Sequence, residues 1–341
     1  MKNTIRFFLL CSLTFLGFQI FAQQLQVIRS DGYAQGTTYS IQYYDNQNRN
    51  FDNEFAQLLA EFDLIFSAYD SSSIVSRVNR NENHVIVDSL FIECFDKSMK
   101  ISNQTKGDFD ITVGPLVNAW GFGTKQKKQV DGHIIDSLLK FVGYKNVFIF
   151  KKTVIKKDKR ITLDFNAIAQ GFSTDLVSRF LLSKGVTNFL INIGGEVYAN
   201  GFEGNGDSWK VGIEMPNENN SDSLNPIKAT LLVKNLAVST SGNYRKFYIE
   251  NGVKYSHEIN PHNGYPAKNN LLSATIVTKD CASADGYATA CMVMGLEKSI
   301  AFLKSHTEID AFLYYSKPDG SIAIFKTKGI DGMLDKKSIS K

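Results

Sequence analysis

Apolar residues recur at helical spacing in some stretches of this chain and gather in short strand-like runs in others. Residues 51–66 (FDNEFAQLLAEFDLIF) place Phe51, Phe55, Leu58, Leu59, Phe62, Ile65 and Phe66 on one helix face, with Asp52 or a neighbour as its start. Residues 89–104 predict a second helix, 131–142 a short one, and Ile74 to Val78 a helical turn. Residues 166–184 predict a further helix, with Asn166 as N-cap and Gly185 just past its end. Two strands are expected in 25–44 around a turn at Ser30-Asp31-Gly32, and two more at 146–150 and 160–164. Strands follow at 188–193, 196–201, 208–214, 228–233, 236–240, 244–250 and 253–257, with the polar stretch 216–226 as a surface loop. The last third reads strand 272–278, helix 283–304, strands 310–315 and 320–325, then a frayed basic tail over 331–341. Hairpins mixed with single helices imply an α+β fold with mainly antiparallel sheets and packed helices, not a doubly wound parallel sheet. There is no repeat of fixed period and no long linker, so 23–341 reads as one unit with room for two lobes.

Residues 1–22 stand apart from this pattern. Lys2 and Arg6 precede an apolar run from Phe7 to Phe18, and Ala22 ends it before Gln23-Gln24. This is the form of a secretory signal peptide cleaved near Ala22, which predicts an exported, periplasmic protein. The alternative is an uncleaved anchor in the inner membrane. Cys11 has Leu10 before it and lies mid-run, which argues against lipid attachment.

The 341 residues are 43% hydrophobic and 21% charged, a globular composition. Loss of Lys2 and Arg6 takes the net charge from +4 to +2, too little for general affinity for nucleic acid. Cys94, Cys281 and Cys291 then remain, an odd number that gives no disulfide framework, and burial as small apolar residues is expected.

Candidate chemistry is concentrated in a few segments. In ASADGYATACMVMG (282–295), Asp285 and Thr289 lie four apart at the start of an amphipathic helix, so one face offers two hard oxygens to a cation such as Mg²⁺. The helix start also suits phosphate, although an acid there equally serves the first turn. In LDFNAIAQGFSTD (163–175), Asp164 and Gln170 offer hydrogen bonds to a nucleotide or flavin, and Gly171 permits close approach of a backbone or a flat ligand. The Gly194-Gly195 pair marks a turn. Ser239, Thr240, Ser241 and Arg245 supply hydroxyls and a phosphate partner, or simply a polar hairpin. His257 is a candidate general base beside the rigid turn that contains His262. Phe109, Trp120 and Phe122 could stack on a planar ring or belong to the core. Thr37, Thr38, Tyr69 and Arg77 complete the candidates.

Taken in order from Gly36 to Gly295, the segments GTTY, SxYxxxSxxSRxN, FDITVGPLVNxWGFG, DFNAIAQG, INIGGE, STSGNYRKF, HEINPHNGYP and ADGxATAxxVMG resemble the ApbE family of FAD:protein FMN transferases. The resemblance implies a T-fold-like α+β architecture, Mg²⁺ dependence and FAD as substrate. It implies transfer of FMN to a threonine or serine hydroxyl with release of AMP. The acceptor would be an exported subunit of a membrane redox complex, so the membrane is near only through that partner. By position, Asp285, Thr289 and the Ala167 carbonyl match the metal ligands. Gln35, Tyr69, Asp108, Phe109, Asp110, Asp164, Gln170, His257 and Ile259 match FAD contacts, and the expected catalytic residues are Asp285 through the metal and His257 as the candidate base. Gln35 stands where methionine is frequent in the family, and Asn260 and Asn263 where Asp and Thr are usual. Two other activities remain compatible: an FAD pyrophosphatase using water, and a non-catalytic flavin-binding protein.

Overall fold

The computed structural model describes residues 26–123, 130–216, 227–244, 247–250 and 253–336. The signal peptide, Arg245 and nearly all of the polar loop lie outside them. The chain opens with β1 (Val27–Ala34) and β2 (Thr37–Tyr44). It continues with α1 (Asp52–Phe66), α2 (Ile74–Asn79), α3 (Ser89–Gln104), α4 (Gly114–Ala119) and α5 (Gly132–Leu139). Next come a small hairpin, β3 (Val147–Phe150) and β4 (Thr153–Lys156), then α6 (Ala169–Ser183), β5 (Asn188–Ile193) and β6 (Glu196–Asn200). Two further hairpins follow around β9 (Leu236–Gly242): β7 (Trp209–Glu214) with β8 (Ile227–Val233), and β10 (Phe247–Glu250) with β11 (Val253–Ser256). The chain ends through β12 (Leu271–Thr278), α7 (Cys281–Met294), α8 (Leu296–Ser305), β13 (Asp310–Ser316), β14 (Ile322–Lys326) and α9 (Lys328–Met333).

One eight-stranded sheet, in the order β1-β2-β5-β6-β9-β12-β13-β14, runs through the fold, and each neighbouring pair is antiparallel. The α+β expectation is therefore met. Helices α6 and α7 pack together on one face, α6 over β5 and β6, α7 over β9 and β12. The other face buries Val197, Val238 and Phe312 against Trp209, Val211 and Leu231 of the β7–β8 hairpin. Burial on both faces accounts for β12, where all eight residues are buried.

Several expectations fail for local reasons. The first turn lies at Gln35-Gly36, both at positive φ, and Ser30-Asp31-Gly32 are inside β1. A two-residue turn of that hand matches the twist of the strands it joins. Residues 160–164 form no strand: Leu163 is held by Asn79, and Asp164 N–H donates to the Ile111 carbonyl. The second strand of that region is β4 instead. Asn166 does not cap α6. Its N–H donates to Asp164 Oδ1 at 2.9 Å in a local turn, and the helix starts three residues later. The expected helix 283–304 is two helices, broken at Gly295 with φ of 76°. Helix α7 is not amphipathic, being buried on nearly every side.

Candidate active site

The site is built where α6 crosses α7. A Cβ at Gly171 would come within 2.8 Å of Asp285 Cβ and closer still to the Cys281 carbonyl oxygen, so the bare glycine lets the two helices touch. Its N–H donates to Asp285 Oδ2 at 3.1 Å. One turn on, Asp175 accepts from Cys281 N–H at 2.7 Å and Ala282 N–H at 3.0 Å, while Asp280 accepts from Ser283 N–H. Ala284 N–H donates to the Asp280 carbonyl. The first turn of α7 has its donors satisfied inside the protein, so the phosphate site expected at this helix start is absent. Asp285 sits in the second turn, not at the start.

Asp285 and Thr289 do share a face, and Thr289 Oγ1 lies 3.4 Å from Ser241 Oγ on β9. Asp285 is 6% exposed, and burial first, then the charge of Glu196, pushes its carboxyl well above the usual range. Glu196 itself accepts from Ser239 Oγ at 3.4 Å. Among the described residues no three His, Cys, Asp or Glu side chains cluster as metal ligands. A set made of one carboxylate, one hydroxyl and a main-chain carbonyl is of a different kind. Ala167, the third predicted ligand, lies half-buried in the turn before α6. Burial likewise pushes the thiols of Cys94, Cys281 and Cys291 up, in keeping with apolar packing.

Predicted flavin contacts fall into groups. Gln35 Oε1 accepts from Ser173 Oγ of α6 at 3.1 Å, and its Nε2 is buried with no hydrogen-bond partner. Gln170 borders the Gly194 turn and Thr37. Asp164 is raised by desolvation, offset by the Asn166 N–H. Tyr69 has a ring 69% exposed, and its hydroxyl is raised by desolvation and then by Asp164, its electrostatic neighbour.

Other predicted contacts turn inward. The ring of Phe109 is buried in the main core, where a Cβ on Gly286 of α7 would reach it. Asp110 spends both oxygens inside the protein, Oδ1 accepting from Thr112 N–H and Oγ1 in a local turn and Oδ2 from the distant Tyr144 N–H. Asp108 instead faces His262, whose Nε2 is 3.1 Å from its Oδ1. Ile259 is buried with Leu116, Trp120 and Ile135. Trp120 stacks on Tyr255 and donates to the Gly264 carbonyl, Phe122 stacks on Tyr248, and Arg77 pairs with Glu82. His257 Nδ1 lies 3.4 Å from Glu258 Oε1, and its ring meets Phe122 edge-on. Asp175 and Glu196 went unnoticed in the sequence, and Glu258 was included only within the matched stretch His257 to Ile259, with no role of its own. Asp175 had one signal, its four-residue spacing from Gly171, which points both at the same neighbouring helix.

Residues 35–313 match the ApbE family. An FAD:protein FMN transferase of Vibrio cholerae is 31% identical over 86% of this chain and 89% of its own, and one of Haemophilus influenzae is 29% identical over 82% and 84%. Among solved structures, the flavin transferase ApbE of Vibrio cholerae superposes with a TM-score of 0.82 at 29% identity, covering 91% of this chain and 100% of that one. The apo flavinyl transferase ApbE of Pseudomonas stutzeri gives 0.81 at 29%, covering 91% and 97%. Sequence and three-dimensional fold are thus shared along nearly the full length of these enzymes, and the chain belongs to the ApbE family.

Proposed function

We propose that this chain is a Mg²⁺-dependent FAD:protein FMN transferase that acts on an exported subunit of a membrane redox complex. The observation that carries the reading is the Asp285–Thr289 face, presented by a buried helix against Gly171 and Ser241. Its donors are hard oxygens, the chemistry Mg²⁺ takes, and a cation there would offset the burial cost of Asp285 beside Glu196. With the ion bound, Asp285, Thr289 and the Ala167 carbonyl would hold it, and it would neutralise charge on the FAD pyrophosphate. Asp164, Gln170 and Tyr69 would bind and orient FAD. His257 would take the proton of the acceptor threonine or serine as that oxygen bonds to the FMN phosphorus and the bond to AMP breaks. The relatives' activity as FAD:protein FMN transferases and the family match over most of the chain support this reading.

The test is incubation with FAD and Mg²⁺, with and without an acceptor subunit. Acceptor-dependent covalent flavin with matching AMP is expected. AMP release at the same rate without acceptor would replace the transferase by a pyrophosphatase. Asp285→Ala should abolish transfer with an unchanged far-UV spectrum, and near wild-type transfer would remove the metal assignment. His257→Ala should slow transfer by roughly 10²–10⁴-fold with FAD affinity little changed. Weakened FAD binding at an unchanged saturated rate would make it a flavin contact only. The exported form should begin near Gln23, which intact-mass measurement reads directly.

A further inference from the structure

The β3–β4 hairpin breaks the usual rule that a surface hairpin is polar on its outer side. Its inner side is ordinary: Val147 is buried, and Ile149 and Val154 pack against the main core. The outer side is also apolar. Phe148 pairs across the strands with Ile155, and Phe148, Phe150 and Ile155 are 48%, 59% and 36% exposed. Ile86, equally exposed, precedes Val87, whose N–H donates to the carbonyl at the hairpin tip.

The tip is Lys151-Lys152, with both residues at positive φ, where Asn-Gly is the favoured pair. Lysines in that conformation are strained, so their presence calls for a reason. Residues 145–160 hold seven cations against Asp158, a net +6 in a chain of net +4, so everything outside this stretch sums to −2. Two of the seven hold a hydrogen bond or ion pair, Lys156 to the Val78 carbonyl and Arg160 to Asp158, and Lys145 and Lys151 lie over the rings of Tyr144 and Phe150. Lys145, Lys151, Lys152, Lys157 and Lys159 are exposed around the apolar face.

We propose that this hairpin docks directly on an anionic lipid bilayer, its phenylalanines and Ile155 entering the headgroup boundary and the lysines meeting lipid phosphates. Lysine suits this role, since its long stem can lie along apolar surface while the ammonium reaches the phosphate layer. A folded acidic protein is the poorer match. Two four-residue strands offer far less than the ~800 Å² per partner of a stable protein interface, and the stretch's one guanidinium fork already holds Asp158. A bilayer needs no matching shape. The enzyme would then touch the membrane itself as well as through its acceptor. This proposal is independent of the flavin chemistry.

The test is co-sedimentation of the chain from Gln23 onward with phosphatidylcholine vesicles, with and without phosphatidylglycerol. Binding only to the anionic vesicles, weakening with salt, is expected. Phe148→Ser with Phe150→Ser, and separately Lys151→Glu with Lys152→Glu, should each weaken binding by about tenfold or more. Both variants should keep the wild-type far-UV spectrum and urea midpoint, which shows that they fold. Absence of vesicle binding by the wild type would overturn the proposal. So would serine variants that bind as well as wild type, since simple charge attraction would then suffice. Binding to soluble polyglutamate without binding to vesicles would assign the surface to an acidic protein instead.

Discussion

Glu258 presents an uncommon arrangement: both carboxylate oxygens are buried without a hydrogen bond, and His257 Nδ1 lies 3.4 Å from Oε1. A carboxylate is costly to bury without a partner, and an ion-pair contact with His257 would offset that cost and orient the imidazole. Glu258→Gln should therefore lower the saturated transfer rate roughly tenfold or more, as loss of a histidine's orienting carboxylate does elsewhere. FAD affinity and folding stability should hold, and a variant with wild-type rate would reduce Glu258 to packing. Gly171 is the other sensitive position. Gly171→Ala drives a methyl into the α6–α7 contact and should cost about 1–3 kcal/mol in urea unfolding. The Asp285–Thr289 pair was legible because helix spacing alone puts the two on one face. Glu258 was not, since no spacing rule says which side chain a neighbouring histidine will meet.

At the scale of elements, α7 is anchored at its N-terminus by a carboxylate from another helix. Asp175 is held at a pKa of about 7, by burial first and then by Asp280, despite two N–H donors that favour its charged form. The folded protein keeps a proton on Asp175 that the unfolded chain, with an ordinary aspartate, has already released. Stability from this group is full below about pH 4 and is lost as pH rises towards 7, on the order of 2–4 kcal/mol. Urea midpoints compared at pH 5 and pH 8 should show the loss in the wild type and a flatter profile in Asp175→Asn. Equal slopes would dissociate Asp175 from the effect. The lengths of α1 and α3 were legible, because apolar periodicity and Asp88 at the N-cap of α3 are local signals. The break at Gly295 and the late start of α6 were not, because a left-handed glycine and a side-chain turn at Asp164 leave no mark on apolar periodicity.

For the whole molecule, the metal reading has a thermodynamic consequence. Asp285 is a buried carboxyl beside other acids, so Mg²⁺ should raise the melting temperature of the wild type and leave Asp285→Ala unmoved. Thermal melts in Mg²⁺ and in EDTA give the answer, and an equal response from both proteins would move the ion elsewhere. The scaffold behind this site is broad: α6 and α7 lie on a sheet whose other face is sealed by the β7–β8 hairpin, so the Asp285–Thr289 face rests on buried structure from two sides.

The sequence by itself determined most of the element types, the α+β class and the pair of oxygens on α7, since these follow from spacing along one chain. Ordered motifs from Gly36 to Gly295 also marked the family before any coordinates. Tertiary structure decided the strand order, which requires pairing between segments as distant as β2 and β5. It decided that Phe109 and Asp110 turn inward, because burial is a property of neighbours and not of residue type. It also decided that the first turn of α7 is closed to phosphate, since the carboxylate that fills it, Asp175, comes from more than a hundred residues earlier.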